Sequence, residues 1–345
     1  MGTLAISGTI DTSQFWPEGG SDADTTKILI TVGKKSFAYT TDSGKRRASR
    51  IFETAQYDER GKLKALLRGK AKDTVVVRLQ GIDAPELHYQ PTPVRGKRLA
   101  GTGLVKQYRQ HQAETATVRL RKFLRGYGTA PIKCQFVTQL DDERGPSEAI
   151  DKYGRFVGNI VLPDKTDVNL WLLEKGLATA GLYNSMTDQE IGRCVRASAK
   201  GKKAASGILR RLTARITAFQ PKLLYRKPTK ANKPKPQEEG GATFVLPKIY
   251  RRQVTWWANQ KAGNVAGGFE AYLKAHGKDD KYYARDDFLS NGRNSATQLA
   301  FADLVSKSTL KAKPEDIIFK EGASTIYKPG VTTKKGNEIT KWDFW

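Results

Sequence analysis

Apolar and polar residues alternate along Leu4–Ile10, the period of a half-buried strand. The alternation returns over Thr26–Val32 and, more briefly, Ser36–Thr40. Asp11–Ser21 contains Pro and Gly and reads as a loop. Thr41–Lys72 is polar and basic, with helix-like spacing around Ile51–Leu67. The β-branched run Val75-Val76-Val77 places a strand over residues 74–82. The period lengthens to that of a helix over Ala113–Leu124, where Val118, Leu120, Phe123 and Leu124 oppose Arg119, Arg121, Lys122 and Arg125. Pro131–Leu140 and Phe156–Leu162 read as strands. Asp167 is placed to cap a helix through Lys175 that Gly176 closes, and Thr187-Asp188-Gln189-Glu190 forms a capping box for a basic helix to about Ala205.

Residues 216–241, and Pro221–Gly241 above all, are rich in Pro and Lys and have no periodicity, so they read as an extended linker. The segment 242–345 has its own aromatics, among them Trp256, Trp257, Phe269, Tyr272, Phe288, Phe301, Trp342 and Trp345, enough for a small separate module. Trp256 and Trp257 are expected in a core rather than as a base-stacking platform. The chain therefore divides into residues 1–215, a linker over 216–241 and an accessory domain over 242–345.

Composition narrows the partners. Sixty Lys and Arg face 35 Asp and Glu, a formal charge of +25 over 345 residues. Residues 1–241 hold 43 basic and 24 acidic residues and residues 242–345 hold 17 and 11, so the excess lies mainly in the first part. Such an excess suits a polyanion, and nucleic acid in particular. Two cysteines 60 residues apart, Cys134 and Cys194, make neither a metal pair nor a disulfide framework and read as free buried thiols. His88, His111 and His276 are too scattered for a zinc site. The N-terminus lacks the basic and apolar regions of a signal peptide, and no apolar run is long enough to cross a bilayer. A soluble protein is expected, either cytoplasmic or exported by a route without an N-terminal signal, with no membrane insertion.

The chemistry concentrates in Arg78-Leu79-Gln80-Gly81-Ile82-Asp83-Ala84-Pro85-Glu86 and, far downstream, Asp151-Lys152-Tyr153-Gly154-Arg155. Hydrolysis of a phosphodiester requires an activated water, neutralisation of charge on phosphorus, and positioning. Arg78 and Arg155 can each grip phosphate oxygens bidentately. Glu86 can act on the water as a general base. Asp83 and the run Asp22-Ala23-Asp24-Thr25 supply hard oxygen donors for a divalent cation.

These motifs resemble those of the staphylococcal nuclease (thermonuclease-like) family. The R-L-x-x-[IV]-D-[AT]-P-E element is matched through Arg78, Leu79, Ile82, Asp83, Ala84, Pro85 and Glu86. The family's D-G-D-T element is matched by Asp22–Thr25, with alanine for the glycine. The D-K-Y-G-R turn is intact, and a D-V-N-x-x-L-x-x-x-G-L-A helix is matched from Asp167 to Ala178. The resemblance covers about residues 3–212 and implies an α+β fold, an OB-type five-stranded β-barrel with packed helices, followed here by a small C-terminal accessory domain. It implies Arg78, Glu86 and Arg155 as catalytic residues. One Ca²⁺ ion would be held by Asp24, Asp83 and the backbone carbonyl of Ala84, with Asp22 in support. Lys152 and Tyr153 would contact a neighbouring phosphate, and Tyr183 is the candidate for base stacking. The implied activity is calcium-dependent cleavage of DNA, RNA or both, with little sequence selectivity and 3′-phosphate products.

The two stretches Thr41–Lys72 and Gln90–Gln112 are longer than the family's simplest members require, and the second places Arg95, Lys97 and Arg98 beside the active turn. A catalytically silent nucleic-acid-binding or scaffold module remains the alternative. Residues 242–345 could bind DNA or a protein partner.

Overall fold

The computed structural model describes residues 2–30, 36–50, 55–57, 63–65, 73–129, 131–140, 149–151, 153–218, 223–237, 239–277 and 280–321. In its first part the strands are β1 (Gly2–Ile10), β2 (Thr25–Ile30), β3 (Ser36–Thr40), β4 (Arg46–Arg50), β5 (Ala55–Tyr57), β6 (Leu63–Ala65), β7 (Thr74–Leu79), β8 (Gly81–Asp83), β9 (Ile132–Leu140), β10 (Phe156–Val161) and β11 (Thr179–Tyr183). The helices there are α1 (Ala113–Arg125), α2 (Val168–Glu174) and α3 (Asp188–Lys203). The last part holds α4 (Pro247–Lys261), α5 (Phe269–His276), β12 (Lys281–Ala284), α6 (Arg285–Asn291), β13 (Leu299–Ala300), β14 (Val305–Ser306), β15 (Thr309–Leu310) and β16 (Ile317–Phe319).

Strands β2, β7, β10, β9 and β1 lie side by side in that order, and β1 pairs back onto β2. The result is a closed five-stranded barrel of the OB type. It is mixed, because β10 runs parallel to β7 while its other neighbours pair antiparallel. Alternation fills the barrel: Leu4, Ile6, Ile10, Ile28, Val75, Val77, Phe136, Phe156 and Ile160 are buried in one core. Burying one such side chain is worth roughly 1.5–3 kcal/mol. The helix-like spacing around Ile51–Leu67 is overturned where it is described, since β5 and β6 pair antiparallel there. Short periodic segments cannot be told from strands by spacing alone. Both predicted caps form: Asp167 accepts from the backbone N–H groups of Asn169 and Leu170, and Thr187 with Glu190 makes the capping box.

A second sheet explains how the last part of the chain is placed. Gly81 (φ +76°) turns the chain out of β7 into β8. Strand β8 pairs with β11, β11 runs parallel to β16, and β16 pairs with β12. The strand that ends in Asp83 is thus the edge of a sheet built largely from residues after 280. Phe244, Tyr283, Phe288 and Ile318 join the barrel's core, and α4 and α5 pack into a second core with Phe301, Leu304 and Ile317. Edge pairing and shared apolar burial tie the C-terminal segment to the barrel.

After a short 3-10 turn at Ile216–Ala218, the described residues from 223 to 237 have almost no regular structure and are strapped down. Arg109 N–H donates to the Leu223 carbonyl at 2.9 Å, and the Trp16 indole N–H donates to that of Arg226 at 2.9 Å. The fully buried Glu114 carboxylate, in the first turn of α1, accepts from Arg226 Nε at 2.9 Å and from the Gln237 N–H at 3.2 Å, and lies 3.4 Å from Arg109 Nε. A buried charge is tolerated only when paired in this way.

At Gly81 an added Cβ would lie 2.5 Å from Cys194 Sγ, in a backbone conformation that L side chains rarely adopt. Gly81→Ala should lower stability by about 1–3 kcal/mol, read from the midpoint of urea unfolding.

Candidate active site

Three strand ends meet at one rim of the barrel. Thr25 of β2 and Val157 of β10 both stand opposite Arg78 of β7. Asp24, just before β2, and Arg155, just before β10, are thereby brought to either side of Arg78, although 54 and 77 residues separate them from it in the chain. Gly81 then returns the chain so that β8 delivers Asp83 to the same place.

Arg78 bridges the two aspartates. It forms an ion pair with Asp24 Oδ2 through one terminal nitrogen, and the other donates to Asp83 Oδ1 at 3.0 Å and to the Ile82 carbonyl at 3.1 Å. The Ala84 N–H donates to Asp24 Oδ2 at 3.0 Å. Burial opposes ionisation of Asp24, but the adjacent Arg78 guanidinium outweighs it and holds the carboxyl at about 2. Asp22 has the opposite balance. Burial, then the negative charge of Asp24, pushes it up to about 7. Its Oδ1 accepts from the Thr25 N–H at 2.9 Å, so it shapes the turn that presents Asp24.

Glu86 follows Pro85 and is held by its backbone. Its N–H donates to Gln110 Oε1 at 3.2 Å, its carbonyl accepts from the Gln110 N–H at 2.7 Å, and Gln110 Nε2 donates to the Val245 carbonyl at 2.7 Å. Burial raises the carboxyl's affinity for a proton, bringing it nearer the range where a base works at neutral pH. Arg155 is braced within its own turn: Asp151 accepts from its Nε at 2.7 Å and from its backbone N–H at 2.9 Å, and Nη1 reaches Thr25 Oγ1 at 3.2 Å. Tyr153 is exposed, with the Arg155 guanidinium 5.2 Å from its ring centre. Lys152 lies outside the described residues.

Tyr183 ends β11 with its ring 6.0 Å from that of Phe319 and the Lys248 ammonium 5.2 Å from its centre. Arg95, Lys97 and Arg98 are exposed on the flank. His88 Nε2 lies 3.0 Å from the Gly20 carbonyl, to which it can only donate, and 4.0 Å from Asp22. The two cysteines are buried and free, and burial pushes each thiol up to about 12.

The residue that sequence reasoning missed is Arg251, on α4. Its two terminal nitrogens each donate to an Asp83 oxygen at 3.1 Å, and one also pairs with Glu86 Oε1. Lys248, one turn earlier on the same helix, sits 3.9 Å from the Phe319 ring centre. The spacing of the pair at i and i+3 was readable, but nothing local in the segment ties it to carboxylates more than 160 positions away.

The two aspartates that Arg78 draws together offer oxygen donors of the kind a hard divalent cation takes. Among the described residues no group of three or more His, Cys, Asp or Glu is gathered as a metal cage. Guanidiniums take up the aspartates instead.

Residues 76–209 match the family described as Staphylococcal nuclease homologue. Arg78, Asp83, Ala84, Glu86, Arg155 and Tyr183 fall inside the match, whereas Asp22, Asp24 and Arg251 lie outside it. A search of curated proteins finds no match. None of the described helices is long and apolar enough to cross a membrane.

Burial, aided by the charges of Arg252 and Arg251, lowers Lys248 to about 7. The unfolded state then binds more protons than the folded state between pH 7 and the ordinary lysine value of 10.5, so this residue's penalty on stability is full below pH 7 and fades as pH rises through that window. Lys248→Met should raise the melting temperature most at pH 6 and least near pH 10, a trend that melts across the range would reveal.

Proposed function

We propose that this protein is a metal-dependent nuclease that hydrolyses phosphodiesters of DNA, RNA or both with little sequence selectivity. The observation that carries the reading is the joining of Asp24, Arg78 and Asp83, from three separate strands or turns, beside Glu86 and Arg155. A nuclease-like domain over residues 76–209 and the net charge of +25 support it.

In this reading Arg78 and Arg155 bind the scissile phosphate. Arg155 is presented by the Asp151 brace, and Arg78 releases part of its hold on the aspartates to meet the phosphate oxygens. Both guanidiniums stabilise the charge that grows on the equatorial oxygens. Glu86 orders the attacking water and takes its proton, and burial tunes its carboxyl toward that task. Asp24, Asp83 and the Ala84 carbonyl would hold one Ca²⁺ ion, with Asp22 supporting the turn, and that ion would polarise the phosphate when bound. Lys152 and Tyr153 contact a neighbouring phosphate. Tyr183 stacks on a base where its ring is free of Lys248 and Phe319. Departure of the 5′-oxygen leaves a 3′-phosphate. Recognition through phosphates accounts for low sequence selectivity.

The alternative is a nucleic-acid-binding module without catalysis, favoured by one observation: Arg251 engages both Asp83 and Glu86.

Plasmid DNA and a single-stranded RNA should be cut in millimolar Ca²⁺ and not in EDTA. Arg78→Ala, Glu86→Gln and Arg155→Ala should each reduce the rate by about 10²-fold or more while the circular dichroism spectrum is kept. A folded parent protein that binds DNA and leaves it uncut would favour the silent module.

A further inference from the structure

Helix α4 is anchored rather than loosely apposed. Ile249, Val254 and Ala258 are buried on it. Its polar side is tied to the loop that follows Glu86: Tyr89 shares a hydrogen bond with Thr255 at 2.8 Å, Asn259 Nδ2 donates to the Thr92 carbonyl at 2.8 Å, and the Val94 N–H donates to Asn259 Oδ1 at 3.1 Å. Gln110, which holds the Glu86 backbone, also holds Val245 just ahead of the helix. The position of Arg251 is therefore built into the fold, with its side chain only 24 % exposed.

Its guanidinium lies flat against Asp83, one nitrogen to each oxygen at 3.1 Å, and extends to Glu86. Asp83 Oδ1 already accepts from Arg78 at 3.0 Å. A hard divalent ion needs the lone pairs of such oxygens at about 2.3–2.6 Å. Arg251 takes up that face of the carboxylate, and it is a cation itself. With Arg78 and Arg251 both on Asp83, a divalent ion would be a third positive group on one carboxylate, and its repulsion by the guanidiniums is strong in a poorly solvated site.

We infer that Arg251 and a divalent cation compete for Asp83, so that docking of α4 sets the metal affinity of the site and keeps Glu86 engaged until the guanidinium leaves. This rests on the reading of Asp83 as a metal ligand. Residues outside the region matched to the family thus become a built-in control on the centre inside it.

The test is a calorimetric titration of the full chain with Ca²⁺ alone, without nucleic acid. Arg251→Gln should bind Ca²⁺ roughly tenfold more tightly than the parent, an ordinary size for coupling between two sites. Arg252→Gln removes the same charge from the same helix, but Arg252 pairs with Asp280, so its affinity should stay within about twofold of the parent. Unchanged or weaker binding by Arg251→Gln overturns the inference, as does equal tightening by Arg252→Gln. If Arg251→Gln is unfolded by circular dichroism, Arg251→Lys is read in its place: it keeps the charge and loses the fork. Tightening by the lysine variant sustains the competition, and parent-like affinity overturns it. Cleavage assays run alongside separate the two readings. A parent that cuts DNA while Arg251→Gln binds Ca²⁺ no better refutes the competition alone. Tighter Ca²⁺ binding by Arg251→Gln, with neither protein cutting, sustains the competition and refutes the nuclease.

Discussion

Arg78 is the side chain on which the arrangement of the rim depends. Asp24 and Asp83 are almost fully buried, and the cost of holding an unpaired carboxylate there is several kcal/mol. A single guanidinium resolves both, because its fork reaches two carboxylates at once while its stem stays in the strand. That geometry requires β7 to be flanked by β2 and β10 in one register. The closed barrel supplies the register, and the apolar packing of Val75, Val77, Phe136 and Phe156 holds it. The hydrophobic core and the charged rim are thus two ends of one constraint: a slip of one residue in β7 would turn Val75 and Val77 outward and take Arg78 away from the aspartates.

The same pairing logic extends to the last part of the chain. Asp83 and Glu86 lie close enough to repel each other, and Arg251 stands between them. The sheet that carries β8 continues through β11 into β16 and β12, so the C-terminal segment meets the site both through its backbone and through its helix. A strongly basic protein consequently has an acidic centre whose charges are matched from within, while the exposed arginines and lysines of the flank remain available to draw in a polyanion.

Local signals were reliable where the physics is local. The Val75-Val76-Val77 run, the Asp167 cap, the Thr187–Glu190 capping box and the Asp151–Arg155 turn each depend on neighbours within a few residues, and each is found in the structure. The helix-like reading near Ile51–Leu67 failed because its apolar residues fit short paired strands as well as a helix. How the C-terminal segment packs against the barrel was not legible in its composition. Aromatic content measures how much core a segment can form, but not whose core it joins.

The sequence by itself determined which groups the rim carries: two arginines, a glutamate and two aspartates, set in turns and strand ends that their neighbours specify. Tertiary structure alone decided which of these groups touch. Strand register joined Asp24 to Arg78 across 54 residues, and the docking of α4 brought Arg251 to Asp83 across 168. Ion pairs of that span leave no periodic or spaced trace in a chain, because their partners are selected by burial and distance in the folded state.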